Sequence, residues 1–287
     1  MIGIRPFTAA LRKFVDLNER VSLRLRDRLF AAETRPCPLA DFSERRLRQL
    51  LRPEMRVLDA GGGKWPRIAA PLKNNLGLHV TGLDLSADEL SQAPAGAYDD
   101  TIIGDAANVP LRADYDLVVS QTLLEHVRDV ELTIRNFASA LRPGGVMAHI
   151  LPNARAPFAV LNRLLGHRWG RRVLYGVYPG AKFVAGFPSY YDRCTPAALA
   201  ECCRRAGLVD VEVTPYYTSE YCRFFTPLYV AELARQQTLS ALGWSSLCEL
   251  FAITAKKPTI PCVTSDAANR ATPSPISSAE TTRSQAA

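Results

Sequence analysis

The sequence lacks the features that mark membrane-spanning, secreted and zinc-binding chains. Its 287 residues contain no apolar run near the roughly 20 residues that cross a bilayer. The N-terminal residues show no apolar segment followed by a small-residue cleavage site, so no secretory signal is predicted. None of the seven cysteines has C-x-x-C spacing, and we interpret them as thiols of a reducing cytoplasm. These absences favour a cytoplasmic globular protein without a zinc site.

The net charge of +7 is unevenly distributed along the chain. Residues 1–52 carry 12 Lys and Arg against 6 Asp and Glu, and residues 155–193 carry 7 against 1. Residues 53–154, between them, carry 8 against 13. An acidic centre with basic flanks indicates an anionic substrate, a membrane surface or a nucleic acid as partner. Solvated helix faces explain the same distribution equally well.

Residues 1–52 are predicted to form an N-terminal helical cap. Residues 8–31 show the apolar spacing of an amphipathic helix with many arginines, and a second helix is predicted over 43–51. Such a basic helix either packs over an edge of its own domain, which we favour, or makes peripheral contact with the inner face of an anionic membrane. At the other end, residues 258–287 are rich in Ser, Thr, Ala and Pro without periodicity, which predicts a disordered tail.

Strands and helices alternate between residues 53 and 256. Predicted strands lie at 56–59, 79–83, 101–104, 115–120, 146–151, 209–214 and 247–255. The first is followed by three glycines and a predicted helix over 67–75. Alternation at this pitch is typical of an α/β protein with a parallel, doubly wound sheet.

Six motifs follow one another in this central part. The first is residues 57–63, a strand containing Asp59 that runs into Gly61, Gly62 and Gly63. The others are residues 82–86, 104–111, 115–120, 123–127 and 141–145. In this order and spacing they resemble the class I S-adenosylmethionine-dependent methyltransferases, of the type that acts in small-molecule and glycan pathways. The resemblance covers about residues 50–256.

The resemblance implies a fold, a cofactor and a domain. The fold is Rossmann-like, with a mostly parallel seven-stranded sheet, an antiparallel last strand and helices on both faces. The cofactor is S-adenosylmethionine, and the methyltransferase domain is residues 53–256. The reaction is methyl transfer to a small-molecule, glycan or lipid-linked acceptor, most readily at oxygen.

The resemblance also assigns the cofactor-binding residues. The turn of Gly61 and Gly63 brings the backbone close to the methionine part, while Asp59 braces the turn or meets the ammonium group. Asp84, followed by Leu85, accepts hydrogen bonds from the ribose hydroxyls, because a carboxylate offers two acceptor oxygens.

Two further motifs supply the rest of this predicted pocket. Asp105 accepts from the adenine amino group, Ala106 donates its N–H to the ring, and Gln121 lies near the sulfonium. The family has a third glycine where this chain has Trp65, so Lys64 or Arg67 is a candidate to bind the methionine carboxylate.

His126 is the candidate base for a hydroxyl acceptor, since it follows the fourth strand and an unperturbed histidine side chain titrates near neutrality. A helix-start histidine bonded to the backbone is an equally good interpretation. The pair Glu125-His126 also resembles quinone-ring O-methyltransferases, which bind a metal with an acid three residues before the glutamate. Here that position is Thr122, and we predict no metal.

Residues 154–193 interrupt the alternation where this family builds a lid over the acceptor. The predicted substrate-binding residues are Arg168, Arg171 and Arg172, which suit phosphate or carboxylate, and Tyr190 as an apolar wall. Three alternatives stay open: an RNA- or DNA-directed methyltransferase, a non-catalytic protein of this fold, and a nicotinamide dehydrogenase. Nucleic acid is disfavoured because the residues after the fourth strand, Ser-Gln-Thr-Leu at 120–123, form neither the Pro-Pro-aromatic nor the Pro-Cys motif that base-methylating enzymes carry there.

Overall fold

A computed structural model describes residues 4–29, 37–166 and 187–259. Its centre is a seven-stranded sheet of order β3-β2-β1-β4-β5-β7-β6. The strands are Arg56–Ala60 (β1), His79–Asp84 (β2), Asp100–Ile103 (β3), Tyr115–Gln121 (β4), Leu141–Pro152 (β5), Val209–Tyr216 (β6) and Leu250–Lys256 (β7). β1 to β5 pair in parallel, whereas β7 runs antiparallel to both of its neighbours. The predicted fold, with its antiparallel last strand, is confirmed.

Helices surround the sheet. They are Ile4–Leu29 (α1), Pro38–Ala40 (α2), Leu47–Leu50 (α3), Ala70–Leu76 (α4), Ala87–Ser91 (α5), Val130–Ala140 (α6), residues 157–166 (α7), Pro196–Arg205 (α8) and Thr226–Ala241 (α9). A π-helical segment, Asp41–Arg46, joins α2 to α3. No helix in the described parts of the chain has the length and apolar character needed to span a bilayer.

Each face of the sheet buries its own core, because neighbouring strand residues point to opposite faces. Leu58, Val118 and Met147 pack with α6 and α8 on one face. Val57, Leu117 and Ala148 pack on the other face, against α3 and the π-helical segment. Burial on both faces explains why the central strands read as nearly continuous apolar runs.

The helix α1 packs against α9 and the residues before it. α9 has no capping side chain of its own, and Asn18 Oδ1 of α1 accepts from the Thr226 N–H at 2.9 Å. The hydroxyl of Ser22 donates to the Arg223 carbonyl at 3.0 Å, and Arg26 forms an ion pair with Glu220 at 3.1 Å. One face of α1 is thus bound to the domain, as the favoured interpretation of this helix required.

Five predicted element starts are wrong by three residues or more. The first helix begins at Ile4, not residue 8, and the last strand begins at Leu250, not residue 247, because residues 245–247 form a 3₁₀ turn. The helix predicted over 67–75 begins at Ala70, because Pro71 suits only the first turn of a helix and its ring would clash with the carbonyl four residues earlier. The fifth strand begins at Leu141, not at residue 146, since Leu141 pairs with Tyr115 across a register shift. The second helical segment begins at Pro38, where the fixed φ of proline suits a first helical turn.

Candidate cofactor and acceptor site

The glycine turn after β1 lies at the carboxyl edge of the parallel strands. Gly61 has a φ of +69° and Gly63 a φ of +45°, a region that residues with a Cβ rarely adopt. A Cβ on Gly62 would overlap the Tyr98 hydroxyl and lie 2.7 Å from Asp59 Oδ2. A Cβ on Gly63 would lie 3.0 Å from Asp84 Oδ2. Because these residues have no side chain, the carboxylates of Asp59 and Asp84 lie close to the backbone of the turn.

Asp59 braces this turn from beneath, as one of its two predicted roles required. Its Oδ2 accepts from the Arg67 N–H at 2.7 Å, and the Tyr98 hydroxyl lies 3.5 Å away. Its Oδ1 is buried without a hydrogen-bond partner among the described residues. Burial raises the pKa of Asp59 to about 6, because desolvation disfavours the charged form.

Asp84 ends β2 beside the same turn. Its Oδ1 accepts from the Ser86 N–H at 2.9 Å, and its half-buried carboxyl has a pKa raised by desolvation. The next residue, Leu85, is exposed and stands clear of the core. Asp84 thus presents a carboxylate at the edge where the cofactor ribose is predicted to lie.

Asp105 and Ala106 follow β3 at the same edge. Asp105 is exposed, and its Oδ1 accepts from the Ala107 N–H at 2.9 Å, which shapes the turn. Ala106 is buried, and its carbonyl accepts from the Asn136 side chain at 2.9 Å. The parallel pairing of β1, β2 and β3 therefore brings Asp59, Asp84 and Asp105 to one edge.

Gln121 ends β4 and contacts the N-terminal segment. The Ser43 hydroxyl lies 3.1 Å from Gln121 Oε1 and 2.8 Å from the Leu39 carbonyl. Ser43 is in the π-helical segment, and such segments are frequent at functional sites. Residues 37–50 thus contribute to the edge of the site, a contact that the sequence did not predict.

The bulky part of the glycine turn points outward. Trp65 is 63% exposed, and Arg67 donates a side-chain hydrogen bond to the Trp65 carbonyl. Lys64 forms an ion pair with Glu89 at 3.2 Å. The two cations proposed for the methionine carboxylate are therefore engaged with neighbouring groups in this structure.

His126 lies in a 3₁₀ turn, Leu124–His126, after β4. Its Nδ1 lies 2.9 Å from the Pro188 carbonyl and 3.3 Å from the Ser189 hydroxyl, and Phe187 packs edge-on against its ring. A carbonyl at Nδ1 requires that this nitrogen carry a proton. His126 thus links the β4 edge to the segment after the predicted lid.

Tyr190 is held in the same segment. The Arg128 Nε donates to its hydroxyl at 3.2 Å, and the Arg128 guanidinium lies over its ring at 5.1 Å. The other predicted substrate residues, Arg168, Arg171 and Arg172, lie outside the described residues, as do residues 260–287 of the predicted tail.

Aromatic rings form a wall near this segment. Phe158 of α7 stacks on Tyr221 with ring centroids 4.0 Å apart and an interplanar angle of 6°. Tyr191, at a φ of +54°, is buried beside them. Within residues 4–29, 37–166 and 187–259, no three His, Cys, Asp or Glu side chains are grouped as metal ligands. The prediction of no metal stays a prediction.

Tyr98 is a site residue that the sequence analysis missed. Its hydroxyl donates to the Gly63 carbonyl at 3.1 Å, and its ring fills the space where Gly82 lacks a Cβ. Tyr98 lies between α5 and β3, in a segment that carries no motif. The only sign of it in the sequence is Gly82 of β2, because a glycine within a strand indicates that another group packs closely against the backbone. Burial, reinforced by the charge of Asp59, raises the pKa of the Tyr98 hydroxyl well above its usual range.

The residues at this edge fit a nucleoside with an amino-acid tail. A buried carboxylate oxygen of Asp59 lacks a partner, and the glycine turn leaves a cradle that side chains would fill. Asp84 offers acceptor oxygens beside that cradle. Such a cofactor requires close approach to the backbone, a carboxylate that accepts hydrogen bonds from the ribose hydroxyls, and a second carboxylate with a free oxygen for the ammonium group.

Comparisons with known proteins identify the family of this chain. A family model described as "Methyltransferase domain" matches residues 31–213. The ubiquinone biosynthesis O-methyltransferase of Marinobacter nauticus is 32% identical over 170 residues, covering 55% of this chain and 66% of the relative. The protein of that name from Bordetella avium is 29% identical over 160 residues, covering 53% and 61%. The chain thus spans slightly less than two thirds of these curated relatives.

A solved structure shares the fold. It is a chain of the complex between the Haloferax volcanii Trm112 methyltransferase activator and its methyltransferase, with a TM-score of 0.52 and 17% identity. The match covers 85% of this chain and 97% of that one.

The fold and the site define a methyltransferase of the Rossmann-like class, and the family model covers more than half of the chain. The chain belongs to the family of S-adenosylmethionine-dependent methyltransferases, and S-adenosylmethionine is its cofactor.

Proposed function

We propose that this protein transfers a methyl group to an oxygen of a small-molecule acceptor. When bound, S-adenosylmethionine supplies a methyl group that is already activated on a sulfonium. The chain itself has to bind the donor, align the acceptor and exclude water. The observation that carries the proposal is the convergence of the glycine turn, Asp59 and Asp84 at one strand edge.

The donor-binding roles follow from these contacts. Asp84 accepts hydrogen bonds from the ribose, and the turn of Gly61 and Gly63 lets backbone groups meet the methionine part. The unpartnered Oδ1 of Asp59 accepts from the ammonium group. Asp105 and Ala106 bind the adenine, and Gln121 lies near the sulfonium.

The aromatic wall supports an acceptor with a ring hydroxyl. Phe158 and Tyr221 are stacked, Tyr191 is buried beside them, and Tyr190 lies above Arg128. Flat apolar surfaces favour flat apolar ligands. The relatives named ubiquinone biosynthesis O-methyltransferase support the same class of acceptor and oxygen as the methylated atom.

Replacement of Asp84 tests the cofactor site. Loss of two charge-assisted hydrogen bonds, at about 1.5 kcal/mol each, weakens binding roughly 100-fold. Calorimetric titration with S-adenosylhomocysteine measures this in Asp84→Ala, and Asp88→Asn, an exposed acid four residues on, is the matched control. Unchanged affinity in Asp84→Ala would contradict the assignment.

Methyl transfer itself is tested with a labelled donor. Purified protein, S-adenosyl-L-[methyl-¹⁴C]methionine and two ring-hydroxyl probes, catechol and 3,4-dihydroxybenzoate, should yield a labelled methyl ether. A cell extract offered as acceptor, then separated into lipid, glycan, protein and nucleic-acid fractions, reports the other classes. Label confined to nucleic acid would overturn the proposal in favour of the RNA- or DNA-directed alternative.

A second proposed property is peripheral contact with an anionic membrane through α1. At 100° per residue, Leu17 and Val21 share an arc on the side of the helix opposite Arg26, which is bound to Glu220. Leu17 is 57% and Val21 37% exposed, whereas Phe14, beside this arc, stacks on Phe225 of the domain. An exposed apolar arc on the side opposite Arg26 suits a bilayer interface.

Basic side chains supply the complementary charge on this arc. Lys13, Arg24 and Arg28 are exposed there, and residues 12–29 place no acid among them. Each cation near an anionic leaflet contributes about 1 kcal/mol. Sedimentation with phosphatidylglycerol vesicles should therefore fall at least tenfold in a double variant, Arg24→Glu with Arg28→Glu.

Arg12→Glu is the matched control for that experiment, because Arg12 lies about a third of a turn away from Arg24. Equal binding to phosphatidylcholine and phosphatidylglycerol vesicles would contradict the membrane proposal. The proposed methyl transfer does not depend on that result.

A further inference from the structure

Glu125 is a buried acid that the roles above leave unused. It lies in the 3₁₀ turn after β4 with its side chain 5% exposed. Its Oε2 has no hydrogen-bond partner in the described parts of the chain, and its Oε1 lies 3.9 Å from His126 Nε2. Buried carboxylates are normally paired, so an unpartnered one requires an explanation.

The surroundings of Glu125 belong to the acceptor side of the site. The N–H groups of Tyr190 and Tyr191 donate to its backbone carbonyl at 2.7 and 3.1 Å. Burial raises the pKa of Tyr191, Cys194 and Tyr221, and the charge of Glu125 raises each of them further, which places all three near the carboxyl. Tyr221 is the ring that stacks on Phe158. The carboxyl thus lies among the aromatic residues proposed to hold the acceptor.

Backbone strain is concentrated around this residue. Thr122, Tyr191 and Arg193 adopt φ values of +52°, +54° and +48° without being glycine. Such conformations persist where the surrounding structure enforces them, and they cluster at functional sites. Two of these residues lie in the segment that covers Glu125, and the third precedes it by one turn.

The donor side is also adjacent. Leu123, two residues before Glu125, lies so close to Gly61 that a Cβ on that glycine would be 2.8 Å from Leu123 Cδ1. The turn that carries Glu125 therefore contacts the glycine turn directly. The turn that carries Glu125 thus joins the donor side of the proposed site, through Leu123, to its acceptor side, through the Glu125 carbonyl.

We propose that the Glu125 carboxylate, and not His126, receives the proton that the acceptor hydroxyl loses on methylation. The acceptor oxygen forms its bond to the methyl carbon as the carbon–sulfur bond breaks, and sulfur keeps that electron pair. The hydroxyl proton passes to Oε2, which leaves a methyl ether and a neutral carboxylic acid. This inference rests on the proposed O-methylation.

The physical chemistry of the carboxyl suits that role. Desolvation raises the pKa of Glu125 to about 8, so that about a tenth is ionised at pH 7. A base is most effective when its pKa lies near the working pH. The groups that face it are His126 from its own turn, Tyr191 and Cys194 from the covering segment, and Tyr221 from beyond β6.

Glu125→Gln tests the proposal, with Glu201→Gln on exposed α8 as the matched control. General-base catalysis predicts a fall in kcat of roughly 100-fold or more with catechol. The affinity for S-adenosylhomocysteine should stay unchanged. The wild-type kcat should rise with pH to a plateau above about 8, and the variant should lose that rise. A variant that keeps the rate and the profile would overturn the proposal.

A measurement without turnover separates this proposal from the proposed function. Protein labelled with ¹³C at the glutamate carboxyls should show one resonance that titrates near pH 8 and is missing in Glu125→Gln. Addition of catechol to the S-adenosylhomocysteine complex should move that resonance. Titration near the ordinary glutamate pKa, or no response to catechol, would refute the assignment. Wild-type protein that methylates neither catechol nor 3,4-dihydroxybenzoate would count against the proposed function instead.

Discussion

Asp59→Asn should change the pH dependence of stability in a direction that the burial of this residue determines. The carboxyl is fully buried, and desolvation raises its pKa from 3.8 to about 6. A tenfold change in a proton-binding constant is worth about 1.4 kcal/mol, so the charged form costs about 3 kcal/mol in the folded state.

The sign follows from proton counting. Between pH 4 and 6 the folded protein binds more protons at Asp59 than the unfolded chain does, so the stability contributed there falls as the pH rises. Above pH 6 the full penalty of about 3 kcal/mol is present. An asparagine does not titrate, so at this position only the wild type loses stability as the pH rises. The free energy of unfolding of Asp59→Asn minus that of the wild type should therefore increase by about 1.4 kcal/mol from pH 5 to pH 7.5.

Urea unfolding at several pH values measures this difference. The asparagine keeps an oxygen for the Arg67 N–H, whereas its amide nitrogen takes the place of an unpartnered oxygen. That amide adds a constant penalty to the variant, which cancels when two pH values are compared. Glu125, Glu249 and His149 also have shifted pKa values, but they titrate in both proteins and cancel in the same way.

Asp16→Asn, on the exposed side of α1, is the matched control and should show no such growth. A stability difference between Asp59→Asn and wild type that is the same at pH 5 and pH 7.5 would refute the argument from burial. The variant should also bind S-adenosylhomocysteine more weakly, because it lacks the carboxylate that we propose meets the ammonium group.

Three further predictions concern the loops around the site. Gly62→Ala should destabilise the fold by about 1–3 kcal/mol, because the added Cβ would overlap the Tyr98 hydroxyl. Tyr98→Phe in the same chain should restore part of the melting temperature, and no recovery would show that another contact is responsible. Asn18→Ala should remove about 1 kcal/mol by uncapping α9, seen as faster hydrogen exchange at Thr226; unchanged exchange would exclude this cap. Emission from the exposed Trp65 should change when S-adenosylhomocysteine binds, and Trp65→Phe should abolish that change without altering affinity.

The fold could be predicted from the sequence in order and direction, although not at every boundary. Strand and helix periodicity is local, and the strands β1 to β4 lie within two residues of their predicted ends. The predicted start of α4 was wrong although Pro71, which fits only the first turn of a helix, marks the true start in the sequence. The early start of β5 depends instead on Tyr115 of a neighbouring strand, which no local pattern reveals.

The candidate site was predictable where a motif supplied it. Asp59, Asp84 and Asp105 each follow or end a strand, and parallel pairing brings strand ends to one edge. Tyr98 and Ser43 were missed since each reaches the site from a segment without a motif. The predicted carboxylate partner Lys64 is instead bound to Glu89 on the next helix, 25 residues away.

The sequence by itself determined the glycine turn, the strand-end acids and the family, because these depend on residue type and short spacing. Only the tertiary structure decided which acids are buried and which are partnered. Among the residues that the structure describes, Glu125 and Asp59 each keep an oxygen without a partner, whereas Glu249 has Arg235 beside it. Burial and pairing depend on groups that lie tens to hundreds of residues apart in the chain, as the hydrogen-bonded pair Asn18 and Thr226 does. Burial and pairing in turn set the pKa values on which the proposed chemistry depends.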